Sequence, residues 1–143
     1  MTGTNPYAPP RSNLEIAPPR GPAPQLWNPD AAGLWSLLFT PIFGSTLVLL
    51  NWKAIGDDAQ ARTARNWLIV SIAMLIPSAI SGIGLVWIIV WYFASQRKQS
   101  RFIRETWGKD YPRRGWLVPL LCGIGALLGI WLLIFLVAMA FPR

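Results

Sequence analysis

The sequence contains no histidine and only one cysteine among its 143 residues. This scarcity excludes zinc sites built on histidine or on several cysteines, histidine-ligated haem and iron–sulfur clusters. It also excludes Ser–His and Cys–His catalytic pairs and any disulfide within the chain. Cys122 lies in an apolar run and is expected to be a small packing residue. The sequence therefore predicts no cofactor, no metal site and no enzymatic activity.

Charged residues are also scarce, at 13% of the chain, which is about half the usual share of a soluble domain. No Asp, Glu, Lys or Arg occurs within residues 31–52, 66–96 or 115–142. Apolar runs of about 20 residues are typical of helices that cross a bilayer core about 30 Å thick. The composition therefore predicts an all-α membrane protein.

Within a helical transmembrane domain at residues 31–143, about three crossing helices are expected. They cover residues 33–50, 67–93 and 117–141. Pro41 and Gly44 predict a kink in the first span. The middle span, if helical throughout, would be about 40 Å long, and Pro77 and Gly82 interrupt it. It is either one long kinked helix, the preferred interpretation, or a re-entrant hairpin that turns near residues 77–82.

Residues 1–30 form a separate compositional unit with eight of the 13 prolines. Proline removes backbone donors and favours extended conformers over packed structure. This segment is predicted to be a disordered tail, although a short docking peptide is an alternative because preformed polyproline conformers bind at low entropic cost.

Scattered residues resemble those of a group of small bacterial inner-membrane proteins. The N-terminal part of the resemblance is the segment Asn5-Pro6-Tyr7-Ala8-Pro9-Pro10, which is similar to their Asn-Pro-Tyr-x-x-Pro opening. The later part consists of Trp35-Ser36-x-x-Phe39-Thr40-Pro41-x-Phe43-Gly44, Asn51-Trp52, Gly56, Trp91-Tyr92-Phe93 and Tyr111-Pro112. The resemblance implies a multi-pass protein of the bacterial cytoplasmic membrane with a cytosolic N-terminus, and it implies no activity.

Seven of the 13 Lys and Arg residues lie in residues 94–116. With three spans, the positive-inside rule places this segment and the N-terminal tail in the cytoplasm, and residues 51–66 outside. With a re-entrant middle segment, the two loops would share the cytoplasmic side and the tail would lie outside. The cation count alone leaves both arrangements open.

The same basic segment predicts an amphipathic helix that lies in the membrane interface. Ile103 and Trp107 mark its apolar face, and Gly108 is a candidate C-cap. The preferred interpretation of its cations is a general positive-inside anchor, and selective binding of anionic lipid headgroups or of an acidic partner is the functional alternative. The candidate binding residues are Arg97, Lys98, Arg101, Arg104, Arg113 and Arg114.

The third span carries small residues at helical spacing, including a GxxxG pattern. These residues are Cys122, Gly125, Ala126 and Gly129. Small residues let helices approach closely in lipid. Packing within the chain and a homodimer interface are both compatible with the pattern.

The sequence predicts a non-enzymatic membrane protein that acts by helix packing with a membrane partner, as an accessory subunit or an immunity-type protein. The alternative is a small oligomeric channel or transporter for a neutral solute or ion. A lipid-modifying enzyme using Asp57, Asp58 or Tyr111 is a distant third, because adjacent aspartates before a helix are usually caps. Nucleic acid is not an expected partner, because the basic segment adjoins a predicted span and carries no recognisable binding module.

Overall fold

The computed structural model describes residues 21–140, and every regular element in that part of the chain is helical. The helices are α1 (Pro29–Ile55), α2 (Asp58–Ala73), α3 (Leu75–Ser81), α4 (Gly84–Trp91), α5 (Arg97–Trp107) and α6 (Leu117–Ala140). A π-helical turn, Tyr92–Gln96, joins α4 directly to α5. The all-α expectation is thus confirmed for the described residues, and residues 1–20 of the expected tail lie outside them.

The first helix begins at a local capping signal. The Asn28 side-chain oxygen accepts a hydrogen bond from the Asp30 backbone N–H at 3.0 Å. Pro29 occupies the first turn, where its missing N–H costs nothing. At the other end, Gly56 adopts a left-handed conformation with φ of 79° and terminates the helix.

A sharp break at Thr40 divides α1 into two arms, residues 29–39 and 41–55. Thr40 has φ of 72° and ψ of 161°, which are not helical values. Pro41 follows it, removes one helical hydrogen bond and disfavours the helical conformation of the preceding residue. The break therefore follows from the Thr-Pro pair, but its direction depends on contacts made elsewhere.

The two arms of α1 fold back on each other. The Trp27 backbone N–H donates to Asn51 Oδ1 at 3.0 Å, and Asn51 Nδ2 donates back to the Trp27 carbonyl at 2.9 Å. A continuous helix would separate residues 27 and 51 by about 36 Å. Residues 29–55 therefore form a helical hairpin, here called the first hairpin, with its tip at residues 40–41. The end where Trp27 and Asn51 meet is called the base.

Close contact between the arms requires the absence of a side chain at Gly44. A Cβ atom on Gly44 would overlap Ser36 Oγ and would also lie 2.7 Å from Cζ2 of Trp91. Trp91 itself is fully buried. Gly44 thus lets α4 and both arms of the first hairpin meet at one point.

The chain reverses a second time between α2 and α4. Helices α2 and α3 are bent by 41° relative to each other, and Gly82, with φ of 69°, ends α3. The rings of Trp67 and Trp87 lie 5.8 Å apart, whereas a continuous helix would separate these residues by about 30 Å. The single kinked helix preferred for residues 67–93 is therefore wrong. The structure contains a hairpin, which was the alternative, and its turn lies at residues 82–83, at the end of the expected range of 77–82. Residues 58–91 are called the second hairpin.

Amide side chains fasten the segment after α4 to the base. Gln99 Nε2 donates to the Val48 carbonyl at 2.9 Å, and Asn51 Nδ2 donates to Gln99 Oε1 at 3.1 Å. Gln96 Nε2 donates to the Pro29 carbonyl. Both ends of the first hairpin are therefore held by one stretch of chain, residues 96–99.

Residues 21–30 depart from the predicted disordered tail. Leu26 is fully buried, its N–H donates to the Pro112 carbonyl at 3.0 Å, and its carbonyl accepts from the Arg114 N–H at 2.9 Å. This pairing with a segment more than 80 residues away orders the end of the predicted tail, which the local composition could not indicate.

Helix α6 leaves the base and runs along the first hairpin. Trp27 Nε1 donates to the Gly115 carbonyl at 3.0 Å just before α6 begins. Further along, a Cβ on Gly123 would lie 3.0 Å from the Phe39 ring, near the tip of the first hairpin.

The expectation of three crossing helices is not confirmed. By length and composition, α1 is the one described helix able to cross a membrane, and the bent pair α2–α3 would be a second if counted as one span. In helix α6, the apolar part Leu117–Leu132 is shorter than a full membrane span. Because α1 folds back at Thr40, its length does not correspond to a single crossing.

Replacing Gly44 with alanine tests the first hairpin. We expect a loss of about 1–3 kcal/mol in unfolding free energy, because the added methyl group overpacks the contact with Ser36 and Trp91. Unfolding in detergent measures this, with Gly125→Ala as the control, since a Cβ on Gly125 meets nothing within 4 Å. In a continuous helix, Gly44→Ala would instead stabilise by up to about 1 kcal/mol, and that result would contradict the hairpin.

Candidate functional site: a cationic pocket at the base

Helix α5 has the two faces that its sequence predicts. Gln99, Ser100 and Ile103 are buried, and the basic residues at intervening positions are exposed. The helix ends at Trp107, and Gly108 follows with φ of 73°. The exposed cations of this helix are Arg97, Lys98, Arg101 and Arg104.

The apolar face of α5 packs on the protein itself, which corrects the expected interfacial helix. Ile103 is fully buried and clusters with Leu26 and Tyr111, while Phe102 and Trp107 pack around the same cluster. Trp107 Nε1 also donates to a backbone carbonyl at Gly21. The apolar residues expected in the acyl boundary thus cover residues 21–26, and the cations form the outer surface.

A small polar pocket of about 100 Å³ lies where α5 meets the start of α1. Asp30 Oδ1 accepts a hydrogen bond from the Ser100 hydroxyl, and Asp30 Oδ2 pairs with the Arg104 guanidinium, each at 2.5 Å. Lys109 and Arg113 also line the pocket. Three cations and one carboxylate therefore face a space that can hold a small anionic group.

The pocket changes the acidity of two of its groups. Burial acts to raise the pKa of Asp30, but the hydrogen bonds from Ser100 and Arg104, together with the charge of Arg104, lower that pKa below its ordinary value. Burial raises the pKa of Tyr111, and the nearby Arg113 only partly offsets this effect. Asp30 is thus held as a carboxylate and Tyr111 as a neutral phenol at neutral pH.

The structure brings only part of the predicted binding set into this pocket. Arg104 and Arg113 line it, and the Arg113 guanidinium lies 5.6 Å from the Tyr111 ring centre. Arg97 instead stacks on Phe93 at 5.3 Å, and Arg114 stacks on Trp27 at 4.7 Å. The remaining two predicted residues, Lys98 and Arg101, are exposed on α5 and do not line the pocket.

The predicted packing face of α6 is largely open. Cys122 and Ala126 are exposed on the side of α6 that faces the first hairpin. A Cβ on Gly125 or on Gly129 would meet nothing within 4 Å in the described structure. The glycine of α6 that touches the first hairpin is Gly123, which lies two residues before the GxxxG pattern and was not in the predicted packing set.

Several residues that build the base escaped the sequence analysis. Asp30, Asn51, Gln96, Gln99 and Ser100 are the polar residues that join the base segments. Their common signal is a polar side chain at the edge of an apolar run.

Asp57 accepts a hydrogen bond from the Gln60 N–H at 3.0 Å and caps α2, as the sequence predicted. Within residues 21–140, no three side chains of His, Cys, Asp or Glu lie close enough together to hold a metal ion.

Comparison with known proteins does not assign a family or a function to this pocket. The chain matches no protein-family model, no curated protein and no solved structure.

Replacing Asp30 with asparagine tests the electrostatics of the pocket. We expect a loss of about 1 kcal/mol in unfolding free energy at pH 7, because a partly exposed ion pair is lost. The wild-type contribution is fully present above the ordinary Asp pKa of about 3.9 and is lost as the pH falls through the lower pKa of Asp30 in the folded protein. Unfolding in detergent should therefore show a smaller difference between wild type and variant at pH 3 than at pH 7. Asp110→Asn, at an exposed position, is the control; an equal loss at both pH values would contradict this assignment.

Proposed function

We propose that the chain is a small integral membrane protein that inserts from one side and acts by helix packing with a membrane partner. The observation that carries the membrane placement is the separation of charge from apolar surface. Every described charged residue belongs to the start of α1, to residues 53–65 or to residues 97–114. These segments meet at or near the base, so the hairpin tips and α6 carry no charge.

The uncharged part of the molecule exposes large apolar side chains. Ile80, near the tip of the second hairpin, is 82% exposed, and Leu34 on the first hairpin is 69% exposed. Leu128 and Trp131 are similarly exposed on α6. Apolar surface of this extent favours a hydrocarbon environment over water.

Element lengths then suggest how each part sits in the bilayer. The arms of the first hairpin have 11 and 15 residues, about 17 and 22 Å, which is less than the hydrocarbon core of about 30 Å. The apolar part of α6, Leu117–Leu132, is by itself shorter than a full span, but the whole helix has 24 residues, or about 36 Å. In this proposal, both hairpins enter and leave on the same side, and α6 crosses the membrane.

The positive-inside rule orients the proposed protein with its base toward the cytoplasm. All Lys and Arg residues within residues 21–140 belong to the segments that meet at or near the base. Together with the resemblance to bacterial inner-membrane proteins, this supports a location in the bacterial cytoplasmic membrane.

Side-specific labelling tests this topology. In a Cys122→Ser background, single cysteines at Gln60 and Lys98 should react with a membrane-impermeant maleimide from the same side. Both positions are exposed at the base end of their helices. A cysteine at position 140, the exposed last residue of α6, should react from the opposite side. Reaction of positions 60 and 98 from opposite sides would instead support three crossing helices.

Helix α6 is the element that we propose packs on the partner. It approaches the first hairpin at Gly123, whereas Gly125 and Gly129 leave a groove in its surface that the described chain does not fill. Close backbone approach at such glycines is the usual means of helix association in lipid. The partner is either another membrane protein or a second copy of this chain.

Replacing both glycines with leucine tests this role of α6. We expect Gly125→Leu/Gly129→Leu to abolish most crosslinking to the partner in native membranes while the chain still folds, because a Cβ meets nothing within 4 Å at either position. Crosslinking followed by affinity purification identifies the partner, and copies with two different tags reveal a homodimer.

The matched control is Gly115→Leu, a glycine outside α6 whose Cβ would also meet nothing within 4 Å. Absence of any crosslinked partner in the wild type would contradict the proposed function, as would equal crosslinking in the double variant and the control.

A further inference from the structure

An apolar groove of about 360 Å³ runs between the first hairpin and α6. Phe43, Leu47 and Leu50 form part of one wall, and Cys122 and Ala126 form part of the other. Its volume lies within the usual range of about 300–1,000 Å³ for small-molecule sites. The groove is distinct from the cationic pocket, with which it shares no lining residue.

The length and chemistry of the groove match a hydrocarbon chain. Its lining on α6 extends from Val118 to Ile130, a distance of about 18 Å along the helix. This is close to half of a bilayer core about 30 Å thick. The Thr46 hydroxyl is satisfied by the Ile42 carbonyl at 2.8 Å, so it does not require a polar ligand.

A cation lies next to Trp27, at the base end of the groove. Trp27 lines the groove, and the Arg114 guanidinium stacks 4.7 Å from its ring centre. The Trp27 Nε1 bond to the Gly115 carbonyl and the Arg114 N–H bond to the Leu26 carbonyl fix both residues. Within residues 21–140, Arg114 forms no ion pair with a carboxylate. Its charge is therefore available to an anion at the mouth of the groove.

We propose that this groove binds one acyl chain of an anionic phospholipid, with the lipid phosphate at Arg114. The inference rests on the membrane placement proposed above and assigns a specific site on that surface. A phospholipid suits the site because it combines a hydrocarbon chain with a phosphate, as the groove combines apolar walls with a cation at one end. The stacked Arg114 retains its N–H groups for bonds to the phosphate oxygens.

Photocrosslinking in lipid nanodiscs tests the acyl-chain site. The probe is phosphatidylglycerol with a diazirine in its acyl chain, and mass spectrometry locates the labelled residues. We expect labelling to concentrate on groove residues such as Phe43 and Ala126. Ala126→Phe, which fills the groove, should reduce that labelling at least fivefold. Leu128→Phe is the matched control, because Leu128 is exposed on α6 outside the groove.

The headgroup contact is tested with the same probe and a phosphatidylcholine analogue. Wild-type protein should prefer phosphatidylglycerol in the groove, and Arg114→Gln should lose most of that preference. Arg62→Gln removes one exposed cation on α2, away from the groove, and should keep that preference. Equal labelling by both lipids in the wild type would overturn the assignment of the phosphate to Arg114.

Other outcomes separate this inference from the membrane placement. Uniform labelling of all exposed apolar residues, or equal effects of Ala126→Phe and Leu128→Phe, would overturn the groove site while leaving the protein in the membrane. Oxidative crosslinking of Cys122 between copies, with loss of lipid labelling, would assign the groove to a second chain. Failure of the protein to float with liposomes would contradict the proposed function itself.

Discussion

The hydrogen bonds of the Asn51 side chain are the interaction on which the fold depends. Its oxygen accepts from the Trp27 N–H, and its nitrogen donates both to the Trp27 carbonyl and to Gln99. One amide therefore joins the start of the first hairpin, its end and the segment that follows the second hairpin. Because buried polar groups are costly when unpaired, the first hairpin can close only where all three segments meet.

The other polar contacts of the base follow from this closure. Once the arms of α1 lie together, the Val48 and Pro29 carbonyls face the same stretch of chain, where Gln99 and Gln96 donate to them. The π-helical turn over residues 92–96 ends at Gln96 and lies just before Gln99. Such a turn shifts the helical register, and it changes which side chains of the following helix face α1.

Helix ends and breaks that carry local signals could be predicted from the sequence, whereas the direction of the chain after each break could not. Asn28 as a cap, Gly108 after α5 and the break near Gly82 all have local sequence signatures. A proline within an apolar run predicts a kink but not its angle, which here depends on the positive φ of Thr40 and on Asn51, 11 residues later. The same limit explains α5, because its pattern predicts an apolar face without revealing that Leu26 covers it.

The two chain reversals also bring all the charged segments to the same end of the molecule. A single reversal within residues 67–93 places the basic segments 51–66 and 94–116 together, but it leaves the N-terminal segment on the opposite side. A second reversal at Thr40 brings all three together, as the contacts of Leu26 with Pro112 and Arg114 require. In the proposed membrane orientation, none of the described charged loops then has to lie on the far side of the membrane. The first hairpin thus accounts both for the buried amides of the base and for the one-sided distribution of charge.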